Sequence, residues 1–337
     1  MMADTKYDSK IWRTLACAVS GRETSLEDFE GEEVLRHAAQ NGISQLLDSQ
    51  VRAGTVAGLS EQVKQQLGAS SKRQAVLDLL LNDATGKTLK FLTEGEVPVL
   101  LLKGTPIAHL YYDDTWQRPR CDTDLYIDHD QVDKAALLLS DHGYQVSGLG
   151  TREYSSKQFG ASTAPFQKIG LQFDVHWKLS NRVMFRRTLP FDQCRETSQA
   201  VPALGPEART LSITNLLLHA CIHRIAHGRN TEHNRLIWLY DINLLIQAMN
   251  ETEVSEFQAR AIERKVGAVC ADALDVSHDL FSTTLPPDLV QQLKSNARKE
   301  PSAKLIHASK LRWAWEDMQA LENLQQKIAF VRELLFK

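Results

Sequence analysis

A chain of 337 residues with 43% apolar and 24% charged residues has the composition of a globular protein with room for about two domains. A formal net charge of −3 excludes a bulk electrostatic drive toward nucleic acid or an acidic membrane surface and leaves room only for local basic patches. The five cysteines are widely spaced and form no CxxC, the opening MMADTKYDSKIWRTL carries no signal pattern, and no run approaches the roughly 18 apolar residues that span a bilayer, so a cytoplasmic protein with free thiols and no membrane partner is expected.

Residues 8–95 read as helical. The segment EEVLRHAAQNGISQLLDSQV carries apolar residues at helical spacing with a break at Asn41 and Gly42. SSKRQAVLDLLLNDATGKTLKFLTEG predicts one long amphipathic helix ending near Gly95, whose Val76, Leu79, Leu80, Leu89 and Leu92 are expected to pack on the following domain. Within it, Gly86, Lys87 and Thr88 resemble the end of a P-loop. Leu81 stands where the first glycine belongs and no strand precedes, so the motif is rejected.

Pro98 then introduces VLLL, a short apolar run suited to a strand buried on both faces. Thr105 and Pro106 are a good N-cap and first helical residue, so a helix over IAHLYY is expected to start at Pro106. CDTDLYI alternates as a strand; Asp130 can cap the helix QVDKAALLLSDH, and Gly143 suits its end. Residues 144–147 predict a short strand, and PFQKI with LQFDVHWKL a hairpin around Gly170. Pro202, Gly205 and Pro206 mark a boundary, after which the pattern is helical to the end, with Trp313 and Trp315 expected to pack the terminal helices. The layout is α+β: an N-terminal helical region over 1–95, an α/β core with a mixed sheet over 96–205, and a C-terminal helical domain over 206–337.

The chemistry gathers in the core. Strand alternation places Asp122 and Asp124 on one face with their α-carbons about 6.6 Å apart. In LQFDVHWKL it turns Phe173, Val175 and Trp177 inward and leaves Asp174, His176 and Lys178 on the polar face. If the two strands are neighbours, three carboxylates converge, and like charges that close need a cation between them. Hard oxygen ligands suit Mg²⁺ or Mn²⁺ with substrate phosphates completing the shell. Two ions about 3.5–4 Å apart can stabilise both attacking and leaving oxygens of a nucleotidyl transfer. In that scheme Asp122, Asp124 and Asp174 are the metal-ligating and catalytic residues, with Asp174 nearest the nucleophile and able to accept its proton. The bland reading is a pair of solvated acids on an exposed strand.

Upstream, Gly104 allows close backbone approach, and the helix start at Thr105 offers unpaired N–H groups to an anion, with Lys103 and the Thr105 hydroxyl adding a charge and a donor. Trp116, Arg118 and Arg120 precede the second strand, and Arg120 is a candidate substrate contact. His219, His223 and His227 recur every four residues on one helical face, with Arg224 beside it and Arg229 and Arg235 beyond. That row could hold triphosphate or base through His223 and Arg224, serve a structural role, or bind zinc, although HExxH is absent. Asp241, after an apolar run, needs a buried partner, for which Arg224 or a histidine is the expected choice.

With these residues assembled, the chain resembles the nucleotidyltransferase superfamily typified by DNA polymerase beta, and more closely its bacterial group of uncharacterised nucleotidyltransferases. The matching features are LLKG at 101–104, Tyr111 and Tyr112, Arg118 or Arg120, DTDLYI at 122–127, FDVHW at 173–177, HACIHRIAHG at 219–228 and RLIWLYDINLL at 235–245. The resemblance covers roughly residues 70–250, with one departure: the wider superfamily usually has Gly-Ser where this chain has Gly104 and Thr105. It implies a polymerase beta-like core, an NTP substrate, a two-metal mechanism and transfer of a nucleoside monophosphate to an unidentified acceptor. A small molecule or protein fits the modest net charge better than a long nucleic acid. The alternative is a non-catalytic nucleotide-sensing or partner-binding module on the same fold, and a weaker third reading is a zinc hydrolase built on the histidine row.

Overall fold

The computed structural model describes residues 9–148, 158–163, 172–180, 182–227, 235–297, 300–306 and 308–335. The N-terminal segment forms helices α1 (Lys10–Val19), α2 (Gly31–Asn41), α3 (Ser44–Ala53) and α4 (Glu61–Glu94), with a two-residue parallel pair, β1 (Thr24–Ser25) and β2 (Val56–Ala57), tying their connections. The expected break is real: Gly42 ends α2 with φ 68°, where a side chain would be strained and would press on Ile237 and Arg235. Helix α4 starts earlier than the sequence pattern indicated, at Glu61, where the Ser60 hydroxyl accepts from the Val63 N–H. Gly86, Lys87 and Thr88 lie inside it.

The expectation for the apolar face of α4 is met only in its last turns. Leu89 and Leu92 are buried, but Val76 and Leu79 are 59% and 70% exposed and Leu80 is exposed with them. The inward face of this stretch is largely polar. Asp78, Thr85 and Thr88 are buried there and bond to Arg120, Thr123 and Tyr144. Buried hydrogen bonds, with Leu81 as the one buried leucine between them, hold the middle of α4.

The sheet is built from β3 (Leu100–Leu102), β4 (Asp122–Tyr126), β5 (Tyr144–Ser147), β6 (Gln158–Thr163), β7 (Gln172–His176), β8 (Gln199–Ala200) and β9 (Arg209–Thr210). Its seven strands run in the order β5-β6-β7-β4-β3-β9-β8. β4 is parallel to β7 and antiparallel to β3, and β3 is parallel to β9, so the sheet is mixed and the chain is α+β. Helix α5 (Gly104–Tyr111) follows β3 and begins two residues before the expected Pro106; α6 (Val132–Asp141) follows β4. The turn leading into α6 is capped by Asp128, whose carboxylate accepts from the Asp130 N–H, rather than by Asp130 itself. The strand antiparallel to β7 is β6; the expected PFQKI strand and Gly170 lie outside the described residues.

After α7 (Phe191–Glu196) and the last two strands come α8 (Ile213–His227), α9 (Leu236–Ala248), α10 (Glu251–Glu263), α11 (Gly267–Phe281), α12 (Leu289–Asn296), α13 (Lys310–Gln319) and α14 (Leu324–Leu335). Among the described residues no helix is long and apolar enough to cross a membrane. Trp313 is buried with its ring edge-on to Phe185, but Trp315 is exposed, contrary to the packing expected of both.

Strand alternation sorts the sheet into two chemically different faces. Leu101, Leu125, Phe173 and Val175 join one apolar cluster with Leu89 and Leu92 of α4 and Ala135 and Leu139 of α6, and Trp177 packs on it. Leu100, Leu102 and Tyr126 join a second cluster with α8, α9 and α11. Asp122, Asp124, Asp174 and His176 have the parity of this second face, so the carboxylates look toward the C-terminal helices. If Phe173 is the apolar anchor of the opposite face, Phe173→Ala should lower the unfolding free energy by about 3–5 kcal/mol, read from urea unfolding followed by circular dichroism.

Candidate active site

The β3–α5 turn sets the geometry. Lys103 caps α5 with φ 55° and ψ −130°, a conformation that side-chain-bearing residues rarely adopt and that costs about 1–3 kcal/mol. It aims the ammonium across to β4, where Nζ donates to Oδ1 of Asp124. Gly104 follows because Arg118 lies against it: an added Cβ would stand 3.0 Å from the Arg118 guanidinium. Thr105 is buried, its hydroxyl 3.5 Å from that of Thr123, a residue of the sheet face opposite the carboxylates.

The carboxylates converge as the alternation requires. β4 and β7 pair in parallel with Asp122 beside Gln172, Asp124 beside Asp174 and Tyr126 beside His176. Asp124, Asp174 and His176 are all buried, and one ligand atom from each lies within 4.8 Å of the others. His176 Nε2 is 2.6 Å from Asp124 Oδ1, the oxygen that Lys103 also holds, and Gln172 Nε2 donates to Asp174 Oδ1 at 2.9 Å. Asp122, less buried, lies close enough to feel its neighbours' charge without joining the compact trio.

Electrostatics separate the three acids. Burial, then the charges of Asp124 and Asp174, lift the Asp122 carboxyl to about 6 against the pull of Lys103 and Arg118. Burial and then Asp124 raise Asp174 as well. Burial would also raise Asp124, but Lys103 and His176 outweigh it and hold this carboxyl well below the usual carboxylate range. Lys103 is raised in turn, since the three carboxylates overcome its own desolvation. The donor set fits a divalent cation: ligands each about 2.0–2.6 Å from one ion lie no more than about 4–5 Å apart across it, and the three ligand atoms here all lie within 4.8 Å of one another. His176 is the site residue that sequence reasoning left out, although its parity with Asp174 in FDVHW was the available signal.

A pocket opens beside Lys103. Its polar lining is Lys103, Arg118, His219, His223 and Asp241, and Trp238 adds an aromatic wall. Arg118 binds Asp241 through Nε at 3.0 Å and Nη2 at 2.8 Å, and the Tyr112 hydroxyl donates to the same carboxylate at 2.7 Å. The partner of Asp241 is therefore Arg118 with Tyr112, correcting the expected Arg224 or histidine. Arg224 instead is fully buried and donates to Asp272 of α11 at 2.6 Å, away from the pocket lining. His219 and His223 lie 6.1 Å apart, ring to ring, and His223 meets the Trp238 ring edge-on at 5.0 Å. The side chain of His227 and residue Arg229 lie outside the described residues.

Arg120 is turned toward the N-terminal side. Its Nη2 donates to Asp78 of α4 and, at 2.6 Å, to Asn82 Oδ1, while Nε and Nη1 have no hydrogen-bond partner among the described residues. The structure thus sets Asp122, Asp124 and Asp174 beside Lys103, which also lines the pocket with His223, while the three carboxylates are not among the lining residues; Arg120 and Arg224 are in ion pairs outside that lining.

Residues 27–282 match the model of a protein family described as uncharacterised nucleotidyltransferases, a span that includes the turn, both acidic strands, α8 and α9. A search of curated proteins finds no match.

Two measurements probe these electrostatics. A carboxyl raised from 3.8 to about 6 disfavours the folded state once ionised, so this contribution is absent below about pH 4 and grows through pH 6. In chelator-containing buffer, Asp122→Asn should therefore stabilise the fold by on the order of 1–2 kcal/mol at pH 7. At pH 4 it should do nothing, as urea unfolding at the two pH values will show. Arg118→Met leaves the Asp241 carboxylate buried with only Tyr112 as a named donor and should cost about 3–5 kcal/mol of stability in the same assay.

Proposed function

The chain belongs to this family of uncharacterised nucleotidyltransferases, and we propose that it is a metal-dependent enzyme on a polymerase beta-like core that transfers a nucleoside monophosphate from an NTP to an acceptor. The observation that carries the reading is Asp124 beside Asp174 at one register position of adjacent parallel strands, with Asp124 paired to Lys103 of the Lys103–Gly104 turn, a residue that also lines the pocket.

Bound Mg²⁺ or Mn²⁺ would supply Lewis-acid stabilisation of the phosphate oxygens. Asp122 and Asp124 would hold the cations, and Asp174 would both ligate and accept the proton of the acceptor hydroxyl. The acceptor oxygen forms a bond to the α-phosphorus, the bond from that phosphorus to the bridging oxygen breaks, and pyrophosphate leaves. Lys103, paired with Asp124 here, would supply its ammonium to a phosphate oxygen if a cation took over that carboxylate. Arg118, already oriented by Asp241, presents its remaining N–H groups beside the Gly104 backbone. His219, His223 and Trp238 offer imidazole and aromatic surface to base, sugar or acceptor. A small molecule or a protein acceptor fits the net charge of −3 better than a long nucleic acid, and a cytoplasmic reaction is part of the same proposal.

One observation favours a non-catalytic nucleotide-sensing module instead: the Lys103 ammonium already neutralises Asp124 and can stand in for a cation. The two readings part in one experiment. Protein incubated with NTP and Mg²⁺ or Mn²⁺ should bind nucleotide and release pyrophosphate slowly to water. Asp122→Ala with Asp124→Ala should reduce that release by more than the roughly 10–100-fold that loss of an outer-sphere partner produces. Nucleotide binding without pyrophosphate release, indifferent to Asp174→Asn, would establish the sensing module. No NTP binding with metal present would remove both.

A further inference from the structure

We propose that the ion of this site is held before nucleotide arrives, in a mixed oxygen–nitrogen sphere of Asp124, Asp174 and His176, and that the site therefore selects a first-row transition ion such as Mn²⁺ over Mg²⁺. The proposal rests on the metal-dependent reading above and deepens it by replacing an all-carboxylate sphere with one that contains imidazole.

Three observations carry it. The compact, buried group on β4 and β7 is two carboxylates and one imidazole, and Asp122 is not among its members. His176 is placed there by strand parity, two residues beyond Asp174, with Nε2 rather than a ring carbon turned to the Asp124 oxygen at 2.6 Å. The local charge also balances for one dication: three carboxylates against the Lys103 ammonium leave a net charge of −2. Arg118, the next cation, is already matched by Asp241.

Ligand chemistry then decides the ion. Mg²⁺ is small, demands near-ideal octahedral oxygen ligation and gives up its waters reluctantly. Imidazole suits first-row transition ions, Zn, Cu, Fe and Ni before Mn, while carboxylate suits Mg²⁺ and Mn²⁺ alike. In a sphere of two carboxylates and one imidazole the nitrogen is therefore the position that separates the two ions, and it penalises Mg²⁺ more than Mn²⁺. Entry of the ion needs two local changes: the Nε2 proton that His176 donates to Asp124 leaves to solvent or is replaced by the Nδ1–H tautomer, and Lys103, on its flexible stem, swings away from Oδ1; the ligand atoms already lie within 4.8 Å of one another. The bland role for His176 is a hydrogen-bond donor that only orients Asp124. His176→Gln keeps a donor of similar reach and removes the imidazole, so it separates the two roles.

The test uses the full chain, stripped with chelator and free of nucleotide, with Mn²⁺ as the probe. Titration followed by electron paramagnetic resonance should count one Mn²⁺ per chain, bound at least about tenfold more tightly than Mg²⁺ in competition, as expected when one ligand favours transition ions. Electron spin-echo modulation should show an imidazole ¹⁴N coupled to the bound ion, replaced by the ¹⁵N pattern in protein labelled with ¹⁵N-histidine. In His176→Gln the nitrogen signal should vanish and the preference for Mn²⁺ should shrink, with a melting curve close to that of the parent. If the variant fails to fold, the labelled parent protein still decides. Mn²⁺ bound without a histidine nitrogen, equal affinity for the two ions, or no ion bound without nucleotide would overturn the proposal. Those outcomes leave nucleotidyl transfer standing, because pyrophosphate release judges it separately. Conversely, a nitrogen-ligated ion in a protein that binds no NTP would sink the transfer reading and keep the site.

Discussion

Asp124 is held through a single carboxylate oxygen by two groups, the Lys103 ammonium and the His176 ring, inside a protein interior that disfavours charge. The arrangement exists because two backbone facts coincide. Parallel pairing of β4 with β7 puts Asp174 and His176 beside Asp124 and Tyr126, and the positive φ of Lys103 bends its side chain back over β4 instead of letting it follow α5 outward. Neither is stabilising by itself: one stacks like charges, and the other strains the chain. The opposite face of the sheet, dense with Leu101, Leu125, Phe173 and Val175, supplies the apolar burial that offsets both.

The approach to β4 is anchored from two sides by arginines two residues apart. Arg118 reaches α9 through Asp241, and Arg120 reaches α4 through Asp78. Each is a buried ion pair whose rupture would leave an uncompensated charge, and together they fix the chain that delivers Asp122 and Asp124 to the sheet. The first pair also ties the acidic strands to the C-terminal helices, so the wall carrying His219 and His223 belongs to the same pocket as Lys103. Nε and Nη1 of Arg120 have no hydrogen-bond partner among the described residues, so the second pair rests on Nη2 alone.

The central site was legible in the sequence because it depends on local rules. Alternation along DTDLYI and FDVHW predicts which side chains share a face, and a Lys-Gly-Thr-Pro run between an apolar strand and a helix predicts the turn. What escaped was decided by tertiary partnership. Asp241 lies 123 residues from Arg118, and nothing in either local pattern favours that pair over one with Arg224. The apolar face of α4 was read correctly at Leu89 and Leu92 but not at Val76, Leu79 and Leu80, since the buried side of its middle carries Asp78 and Thr85, which only polar partners at Arg120 and Thr123 make acceptable. His176 was assigned to the right face, yet its membership in the acidic group depends on β4 and β7 being neighbours in that register, which no short stretch of sequence specifies.

That register has a consequence for the order of events. A cation between Asp124 and Asp174 and the Lys103 ammonium serve the same electrostatic need, so they compete for the same carboxylate oxygen. While Lys103 holds Asp124, its ammonium is committed to that carboxylate. In the metal-dependent reading proposed above, a cation on Asp124 would release the ammonium toward Arg118 and His223, with which Lys103 lines the pocket. The positive φ of Lys103 is what sets its side chain against both the carboxylate and that pocket.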